Sequence, residues 1–350
     1  MASGRPTLVE IARSAGVSAP TVSRVVNGRG GVSEATRQTV LKALSDLGYR
    51  RRHRVRRRSC GVVDVVISSA TGLWATGIMT GAYAEAARLG IDIVATETHD
   101  RLINEREWID RRLERGTDGI VLVVSRLGPL VLAEIEARSL PLVAVDPISA
   151  APPGVPTVSA TNWSGGRAAT EHLIELGHRR IGVITSPLDD ASAADRLDGY
   201  RAALRRAGID YDPGIVREGN SLREGGLTLG GELLDLADRP TAIFSFADEQ
   251  AFGVYEAARE RGLTVPGDLS VVGFDDIPLS LWMFPQLTTV HQPLAEMARQ
   301  GVRLVAALSE DRTDDIYDRV ELATSLKLRE STAPPPAPRR TARARASLRT

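Results

Sequence analysis

The chain contains few of the residue types that cross-link secreted domains or anchor proteins in membranes. Cys60 is the only cysteine among 350 residues, which excludes an internal disulfide framework and fits a reducing compartment. No apolar run reaches the roughly 18 residues that a membrane span needs, and the N-terminus lacks the apolar core of a signal peptide. We therefore expect a cytoplasmic protein that does not contact a membrane.

Combinations of side chains that support catalysis or metal binding are also missing from the sequence. The five histidines have no spacing typical of a metal site. Cys60 has no obvious histidine partner and adjoins an apolar strand pattern, which predicts a buried or inert thiol. Gly165-Gly166 opens a helical pattern, but without a following lysine it is not a phosphate-binding loop. These absences predict that the protein is not an enzyme and uses no cofactor.

The 44 basic and 44 acidic residues cancel in sum but are unevenly distributed. Residues 1–58 carry a charge of +10 and residues 334–350 carry +5, which leaves −15 on the stretch between them. A basic N-terminal segment suits docking on phosphates, while an acidic body discourages nonspecific coating of DNA. The distribution predicts that the N-terminal part binds nucleic acid.

Residues 1–49 have the pattern of a helix-turn-helix followed by a third helix. Apolar residues recur at helical spacing at Leu8, Ile11, Ala12 and Ala15. Gly16 permits a turn, and Ser18 is a suitable N-cap for a second helix over residues 19–27. A third helical pattern follows Ser33. Such a second helix presents its N-terminal residues to base edges in the major groove, so residues 1–49 are predicted to be a DNA-binding headpiece.

A basic hinge over residues 50–59 follows the headpiece, with seven arginines between Arg50 and Arg58. One interpretation is a solvated linker in which charge repulsion favours disorder. The other is a segment that contacts DNA, with arginines on phosphates or in a narrow minor groove. We favour the second interpretation.

From Cys60 onward, short apolar runs alternate with amphipathic helical stretches. Eight runs read as buried parallel strands: GVVDVVI, IDIVATE, GIVLVVS, PLVAVD, RIGVIT, GIVREG, TAIFSF and LSVVGFDD. The helical stretches between them often end in a glycine, as at Gly90 and Gly262. This alternation predicts doubly wound α/β sheets, and about 270 residues of it predict two lobes.

Several strings in this chain resemble one family of regulators. AGVSAPTVSRVVNG and GVSEATRQTVLKALSDLGY, at residues 15–28 and 31–49, resemble the DNA-binding headpiece of the lactose-repressor (LacI/GalR) family of transcription regulators. Further strings resemble the effector-binding core of that family: TNWSGGRAATEHLIELGHRRIGVIT, RLDGYRAAL, PTAIFSFADEQAFGVYEAARERGLTVPGDLSVVGFDD and LTTVHQPLAEMA. The resemblance covers about residues 7–332.

The resemblance implies an all-α helix-turn-helix headpiece and a core, residues 60–332, of two doubly wound lobes similar to periplasmic sugar-binding proteins. The first lobe is expected over residues 60–160 and 290–320, and the second over residues 161–289 and 321–332. We expect the chain to cross between them near Thr161, Thr288-Thr289 and Leu322. Residues 333–350, rich in proline and arginine, are predicted to be a disordered basic tail.

By this resemblance, the headpiece contacts DNA through base-reading and phosphate-binding side chains. Arg24 suits two acceptors of guanine, and Ala19 and Pro20 offer apolar contact to bases. Small polar groups near helix N-termini suit phosphate oxygens or act only as caps: Thr7, Ser18, Thr21, Ser23, Asn27, Ser33 and Thr36. In the hinge, Arg51, Arg52, Arg54 and Val55 are the candidates. This hinge is shorter than the usual one and has only Val55 where the family places a wedging leucine, which favours electrostatic attachment.

The resemblance also places an effector site between the lobes, at the carboxyl ends of strands. Arg196 and Asp275 match the family's ligand-binding arginine and aspartate, and the alternative role for both is an ion pair. Asp248 follows Ala247 where relatives often have Asn-Asp, and it either binds ligand or serves as a helix N-cap before Gln250. Trp74, Ser125 and Asp146 follow first-lobe strands, where Trp74 offers a stacking face for a sugar ring. Trp282 is predicted to lie in the cleft or in the core.

These inferences predict a cytoplasmic, nucleoid-associated repressor of carbohydrate-utilisation genes. It is expected to act as a homodimer on a pseudopalindromic operator in double-stranded DNA, and to be released by a sugar or short oligosaccharide. One alternative is a sugar-binding protein without DNA function, which the headpiece argues against. Another is an enzyme of carbohydrate metabolism, for which no residue set is found.

Overall fold

A computed structural model describes residues 8–26, 32–46, 59–70, 72–99, 102–312 and 317–336. The chain divides into two compact units, residues 1–57 and 58–350, and each is described by itself. The described helices are α1 (Leu8–Ala15), α2 (Ala19–Val26), α3 (Glu34–Asp46), α4 (Leu73–Leu89), α5 (Arg106–Arg115), α6 (Pro129–Ala137), α7 (Asn162–Glu175), α8 (Ala191–Arg206), α9 (Arg223–Leu234), α10 (Asp248–Glu260), α11 (Leu279–Trp282) and α12 (Leu294–Ser309).

The described strands all belong to the second unit. They are β1 (Val62–Ile67), β2 (Asp92–Glu97), β3 (Gly119–Val123), β4 (Leu142–Val145), β5 (Thr157–Ala160), β6 (Ile181–Thr185), β7 (Val216–Glu218), β8 (Ala242–Ser245), β9 (Ser270–Asp275), β10 (Thr288–His291), β11 (Arg319–Leu322) and β12 (Ser325–Lys327). Each of the eight predicted strands contains one of them.

The first unit is a three-helix headpiece closed around a small apolar core. The side chains of Ile11, Val22 and Val40, one from each helix, are fully buried. Gly16 directly follows α1 and lies in the turn before α2. Its φ of +66° is a left-handed conformation that glycine adopts at little cost. The predicted helix-turn-helix is therefore confirmed for the described residues. Asn27 and Leu47–Tyr49 lie outside them.

The second unit contains two six-stranded sheets, one for each predicted lobe. The first has the order β11-β5-β4-β3-β1-β2 and is parallel throughout. Helices α4 and α12 pack on one of its faces and α5 and α6 on the other, because its strands carry apolar side chains on both faces. This arrangement confirms the doubly wound architecture of the first lobe.

The second sheet repeats the design with one reversed edge strand. Its order is β12-β10-β9-β8-β6-β7, and only the β10–β12 pair is antiparallel. One face packs against α7 and α8, around Tyr200 and Phe244, and the other against α9 and α10. Both sheets therefore present the carboxyl ends of their central parallel strands as a site-forming edge.

The chain crosses between the lobes three times, and one of the predicted crossings shifts by a few residues. The strand β10 stays in the second sheet to His291, because it pairs with β9, so the crossing follows at Gln292 and not near Thr288-Thr289 or residue 290. The strand β11 stays in the first sheet to Leu322, because it pairs with β5. Thr161 and Thr324 hydrogen-bond each other at the remaining crossings, with hydroxyl oxygens 3.0 Å apart.

The predicted tail also begins too early. The N–H of Ala333 donates to Ser270 Oγ over 3.0 Å, and its carbonyl oxygen lies 2.9 Å from His178 Nε2. Ala333 is thus attached to the second lobe, while residues 337–350 lie outside the described part. Among the helices that the structure describes, none has the length and apolar content that a bilayer span requires.

Candidate functional site

In the headpiece, most of the described candidate DNA contacts lie at or near the starts of α2 and α3, while Ser23 and Arg24 lie in the second half of α2. Ser18 Oγ accepts the N–H of Thr21 (3.3 Å), and Ser33 Oγ accepts the N–H of Thr36 (3.2 Å). The hydroxyls of each pair are 2.8 Å apart. These serines act as N-caps, and a cap at a helix start also suits a phosphate oxygen, so the DNA role remains a prediction.

Helix α2, which is predicted to face the bases, carries both exposed and half-buried candidate residues. Pro20 and Arg24 are exposed, while Ala19, Thr21 and Ser23 are half-buried. Because Val22 and Val25 hold the opposite face in the core, Arg24 extends from the exposed face of α2. The other candidates lie outside the described residues: Thr7, Asn27, Arg51, Arg52, Arg54 and Val55.

A cavity of about 700 Å³ lies between the two lobes. Its lining includes residues that directly follow strands of both sheets, such as Ser68 after β1 and Phe246 after β8. The polar and aromatic lining of the first lobe consists of Ser68, Ser69, Trp74, Thr98, Ser125, Arg126 and Asp146. That of the second lobe consists of Ser186, Asp189, Asp190, Ser192, Arg196, Asn220, Ser221, Glu249 and Asp275, with Phe246. Five of the six predicted effector residues therefore meet in one cavity.

Arg196 is held in place from several sides. It extends from α8, and its Nε donates to Asn162 Oδ1 (2.9 Å), its Nη1 to the carbonyl of Phe246 (2.6 Å) and its Nη2 to Gln292 Oε1 (3.3 Å). The guanidinium stacks on the Phe274 ring, 3.6 Å from the centroid. These contacts fix its orientation before any ligand arrives, and two of its five N–H groups remain available.

Asp275 lies opposite this guanidinium at the end of β9. Its carboxylate is 3.9 Å from Arg196 Nη1 and is 5 % exposed. Within the described chain, its side-chain oxygens accept no hydrogen bond. Burial raises its pKa to about 8, because the pull of Arg196 only partly offsets the loss of water and the repulsion from Asp146. Its φ of +105° is rare for a side-chain-bearing residue, as is typical of functional sites.

Two more carboxylates face the same space. Asp146, after β4, is buried and accepts one hydrogen bond, from Gln292 Nε2 over 3.2 Å. Burial raises its pKa. Asp190 caps α8, where its Oδ1 accepts the N–H of Ser192 over 3.2 Å. Burial, together with repulsion from Asp146, raises its pKa to about 6. A buried cluster of acceptors thus surrounds one fixed guanidinium.

Trp74 and Ser125 come from the first lobe. Trp74, in the first turn of α4, is half-buried and packs against the first-lobe core while lining the cavity. Ser125 donates to the carbonyl of Val123 over 2.9 Å and lies 3.4 Å from the Thr98 hydroxyl. The structure therefore brings an aromatic face and a pair of hydroxyls to the wall opposite Arg196.

The structure supports neither predicted role of Asp248, because it is not a lining residue of the cavity and because Ala247 is the N-cap of α10. The side chain of Asp248 is fully buried. One oxygen accepts the hydroxyl of Thr289, and the other accepts the N–H of Ile277 over 2.9 Å. As the first residue of α10, it ties the loop after β9 to β10, which is a structural role.

Sequence reasoning missed several residues that shape the cavity. Asn162 and Gln292 orient Arg196, and Asp190 and Glu249 add negative charge to the second-lobe wall. Glu249 Oε1 accepts the N–H of Leu73, so a second-lobe carboxylate caps a first-lobe helix. A usable signal was the position of Asp190 directly before a helix, which is typical of an N-cap.

Cys60 and Trp282 were each predicted with two alternatives. Cys60 is exposed, which excludes the buried alternative, but partial burial and the hydrogen bond with Asp118 raise the pKa of its thiol, which supports the inert alternative. Trp282 lies neither in the cleft nor in the core, because its side chain is 64 % exposed on α11. Among the described residues, no group of three or more side chains is arranged to hold a metal ion.

A helix-turn-helix headpiece joined to a two-lobed core with an interlobe cavity defines a DNA-binding regulator with a ligand site. Comparison with known proteins agrees with this class. Residues 7–52 match the model for bacterial regulatory proteins of the lacI family, and residues 170–332 match that for a periplasmic binding protein-like domain.

Individual relatives extend the match over nearly the whole chain. The transcriptional regulator CelR of Thermobifida fusca is 36 % identical over 337 residues, covering 93 % of this chain and 98 % of CelR. A solved CelR–cellobiose complex superposes with a TM-score of 0.70 at 33 % identity, covering 93 % of this chain and all of that one. The lac repressor dimer bound to operator and the anti-inducer ONPF gives a TM-score of 0.67 at 28 % identity, with 94 % and 100 % covered. The chain belongs to the lacI family of transcription regulators.

Proposed function

We propose that this regulator is a repressor of carbohydrate-utilisation genes and that an uncleaved sugar or short oligosaccharide in the interlobe cavity releases it from its operator. The observation that carries this proposal is the pairing of Arg196, fixed by three acceptors, with Asp275, whose buried carboxylate accepts no hydrogen bond within the described chain. An arginine and an aspartate facing a polyol each form directed hydrogen bonds.

Other features of the cavity suit a carbohydrate. Trp74 offers an apolar face for a sugar ring, and Thr98 and Ser125 supply hydroxyls on the same wall. The volume of about 700 Å³ lies in the range of small-molecule sites and leaves room for more than one ring. CelR, which is similar over most of its length, has been solved with cellobiose, and this supports an oligosaccharide.

We propose that the protein acts as a homodimer, in the cytoplasm and on the nucleoid. A pseudopalindromic operator needs two recognition helices related by a two-fold axis. In the second lobe, Leu281, Trp282 and Phe284 form an exposed apolar segment, with Phe284 89 % exposed. Isolated exposed apolar residues are common, but three within four positions suit burial against a second copy.

The switch follows from linkage between the two ligands. A sugar that prefers one arrangement of the lobes shifts the dimer toward it, and the operator prefers the other arrangement. The coupling is reciprocal, so operator DNA must weaken sugar binding by the same factor by which sugar weakens operator binding.

Selection of bound fragments from a genomic DNA pool tests the DNA function, with the Arg24→Ala variant as the comparison. We expect the full chain to enrich a pseudopalindrome, and Arg24→Ala to bind it about 10- to 100-fold less tightly with relaxed preference at one base position. Equal weakening on all sequences would make Arg24 a phosphate contact. Failure to enrich any sequence, with or without sugars, would favour a sugar-binding protein without DNA function.

Titration of the operator complex with sugars tests the effector. We expect one neutral sugar to lower operator affinity and to be recovered intact afterwards. An operator affinity that no carbohydrate changes would reject the sugar effector, and turnover of the bound sugar would revive the enzyme alternative.

A further inference from the structure

The ionisable groups that line the interlobe cavity are mostly acidic. Five acidic side chains face it, from Asp146, Asp189, Asp190, Glu249 and Asp275, against the two guanidinium groups of Arg126 and Arg196. Arg126 is already ion-paired with Asp189 across the cavity rim. Arg196 is therefore the one lining guanidinium left to serve the remaining carboxylates in the described cavity wall.

Helix N-termini are the other usual source of positive potential in such a cleft, since their free N–H groups attract anions. Two of the helices that begin at this cavity already have a carboxylate at that position. Asp190 accepts the N–H of Ser192 at the start of α8, and Glu249 accepts the N–H of Leu73 at the start of α4 over 3.2 Å. The protein's own acidic side chains occupy the places where a phosphate would bind.

Asp275 and Asp146 leave most of their hydrogen-bonding capacity unused. Asp275 accepts no side-chain hydrogen bond within the described chain, and Asp146 accepts only one, from Gln292. Both are more than nine-tenths buried. Because buried polar groups need partners, the molecule that fills this cavity must bring hydrogen-bond donors.

We propose that the cavity selects effectors that are rich in hydroxyl donors and carry no negative charge, and that it rejects the phosphate ester of a sugar that it binds. This inference rests on the proposed function in placing the effector in this cavity. A phosphate brings acceptors and further negative charge to a cluster of buried acidic side chains, in a desolvated site where burial and mutual repulsion already raise the pKa values of Asp146, Asp190 and Asp275.

The first test needs no identified ligand. Trp74 lines the cavity, and its fluorescence is obtained as the difference between the full chain and its Trp74→Phe variant. At constant ionic strength, we expect caesium ions and neutral acrylamide to quench Trp74, and iodide to quench it roughly tenfold less efficiently than caesium. Asp190→Asn removes an acidic side chain from the cavity wall and should bring the quenching efficiencies of iodide and caesium closer together.

Trp163 provides the matched control. Trp163 is 41 % exposed on α7, and the guanidinium of Arg167 lies 5.7 Å from the centre of its ring. Its fluorescence, obtained as the difference between the full chain and Trp163→Phe, should therefore be quenched readily by iodide. Iodide that quenches Trp74 as efficiently as caesium would overturn the inference. A Trp74 that none of the three quenchers reaches would also overturn it, because the cavity would then be closed to small solutes.

The second test compares matched ligand pairs by calorimetry on the full chain: glucose with glucose 6-phosphate, galactose with galactose 6-phosphate, and adenosine with AMP. For whichever neutral compound binds, we expect its phosphate to bind about 100-fold more weakly or worse. A phosphate that binds as tightly would overturn the inference. Binding of adenosine alone, with AMP rejected, would instead refute the sugar effector and leave the charge selection intact.

Discussion

The two walls of the cavity are built on similar sheets but differ in chemistry and rigidity. The first-lobe wall offers Trp74, several hydroxyls, a single buried acid, Asp146, and Arg126 at the rim. The second-lobe wall carries Asp190, Arg196, Glu249 and Asp275, with Asp189 at the rim. The second wall therefore holds most of the strong hydrogen-bonding groups, and the first supplies apolar surface and weaker contacts.

The difference extends to how the side chains are held. Arg196 has three acceptors and an aromatic platform, and Asp190 is fixed as a helix cap. On the first wall, the Ser125 hydroxyl is held by one hydrogen bond to the Val123 carbonyl, and the Thr98 hydroxyl has only a weak contact with Ser125 over 3.4 Å. Preorganised groups bind with little entropic cost, so we infer that the second lobe captures the ligand and the first lobe closes over it.

Few contacts join the walls directly. The N–H of Ala191 donates to the carbonyl of Ile148 over 2.8 Å, and Glu249 caps Leu73. At the hinge, Gln292 bonds both Arg196 and Asp146. A ligand between Arg196 and Asp146 thus lies beside Gln292, which links the two lobes. This position suits a site in which ligand binding is coupled to closure of the lobes.

The comparison predicts the largest effect at Arg196. Arg196→Ala should lower affinity for the neutral sugar about 100-fold or more, because it removes a fixed charge and leaves Asn162 and Gln292 without their partner. Operator affinity without sugar should stay within about threefold of that of the parent chain, since Arg196 lies in the effector-binding unit and not in the headpiece. Calorimetry with the sugar and fluorescence anisotropy with the operator measure the two effects.

Arg196→Lys is the matched control, because it keeps the charge but loses the planar fork of donors. Its sugar affinity should also fall strongly, with a melting temperature closer to that of the parent chain. An Arg196→Ala protein that responds normally to sugar would show that the second wall is not the capturing wall.

A second prediction concerns how Asp275 changes the free energy of unfolding with pH. The folded pKa of Asp275 is about 8 against an ordinary 3.8, so the folded protein holds a proton that the unfolded chain releases. Its stability therefore declines as pH rises from about 4 to 8. Asp275→Asn should raise the free energy of unfolding at pH 8 by about 1–3 kcal/mol, with the gain vanishing near pH 4.

Urea unfolding of the full chain at several pH values measures this effect. Asp238, whose side chain is 88 % exposed, supplies the control, and Asp238→Asn should give no comparable pH-dependent gain. An Asp275→Asn protein that is less stable at pH 8 would mean that the carboxylate stabilises the empty fold.

Much of this architecture is predictable from sequence because buried parallel strands are continuous apolar runs. The strands β5, β10, β11 and β12 were not predicted, because their sequences TVSA, TTVH, RVEL and SLK are not continuous apolar runs and adjoin the crossings between the lobes. In the site, Arg196 and Asp275 were found through family strings, but Glu249 was not, because its partner Leu73 is 176 positions away. Asp248 was misassigned since its burial under β10 depends on packing that no local pattern reveals.

A smaller effect is expected on the first wall. Trp74→Ala should weaken sugar binding about tenfold by removing the stacking face, and Trp74→Phe should weaken it less than about threefold because a ring remains. Trp163→Ala, which changes an exposed tryptophan away from the cavity, should leave sugar affinity unchanged. Unchanged binding by Trp74→Ala would remove the first wall from ligand contact and leave it only a role in closure.

The smallest effect is expected at the rim, where Arg126 and Asp189 pair across the walls. Their side chains are 47 % and 66 % exposed, and exposed ion pairs contribute about 0–1 kcal/mol. In a double-mutant cycle with Arg126→Gln and Asp189→Asn, the coupling in sugar affinity should stay below about fivefold and vanish at high salt. A large, salt-independent coupling would mean that Arg126 and Asp189 bind the ligand jointly. The assignment of capture to the second wall and closure to the first would then not hold for the residues at the rim.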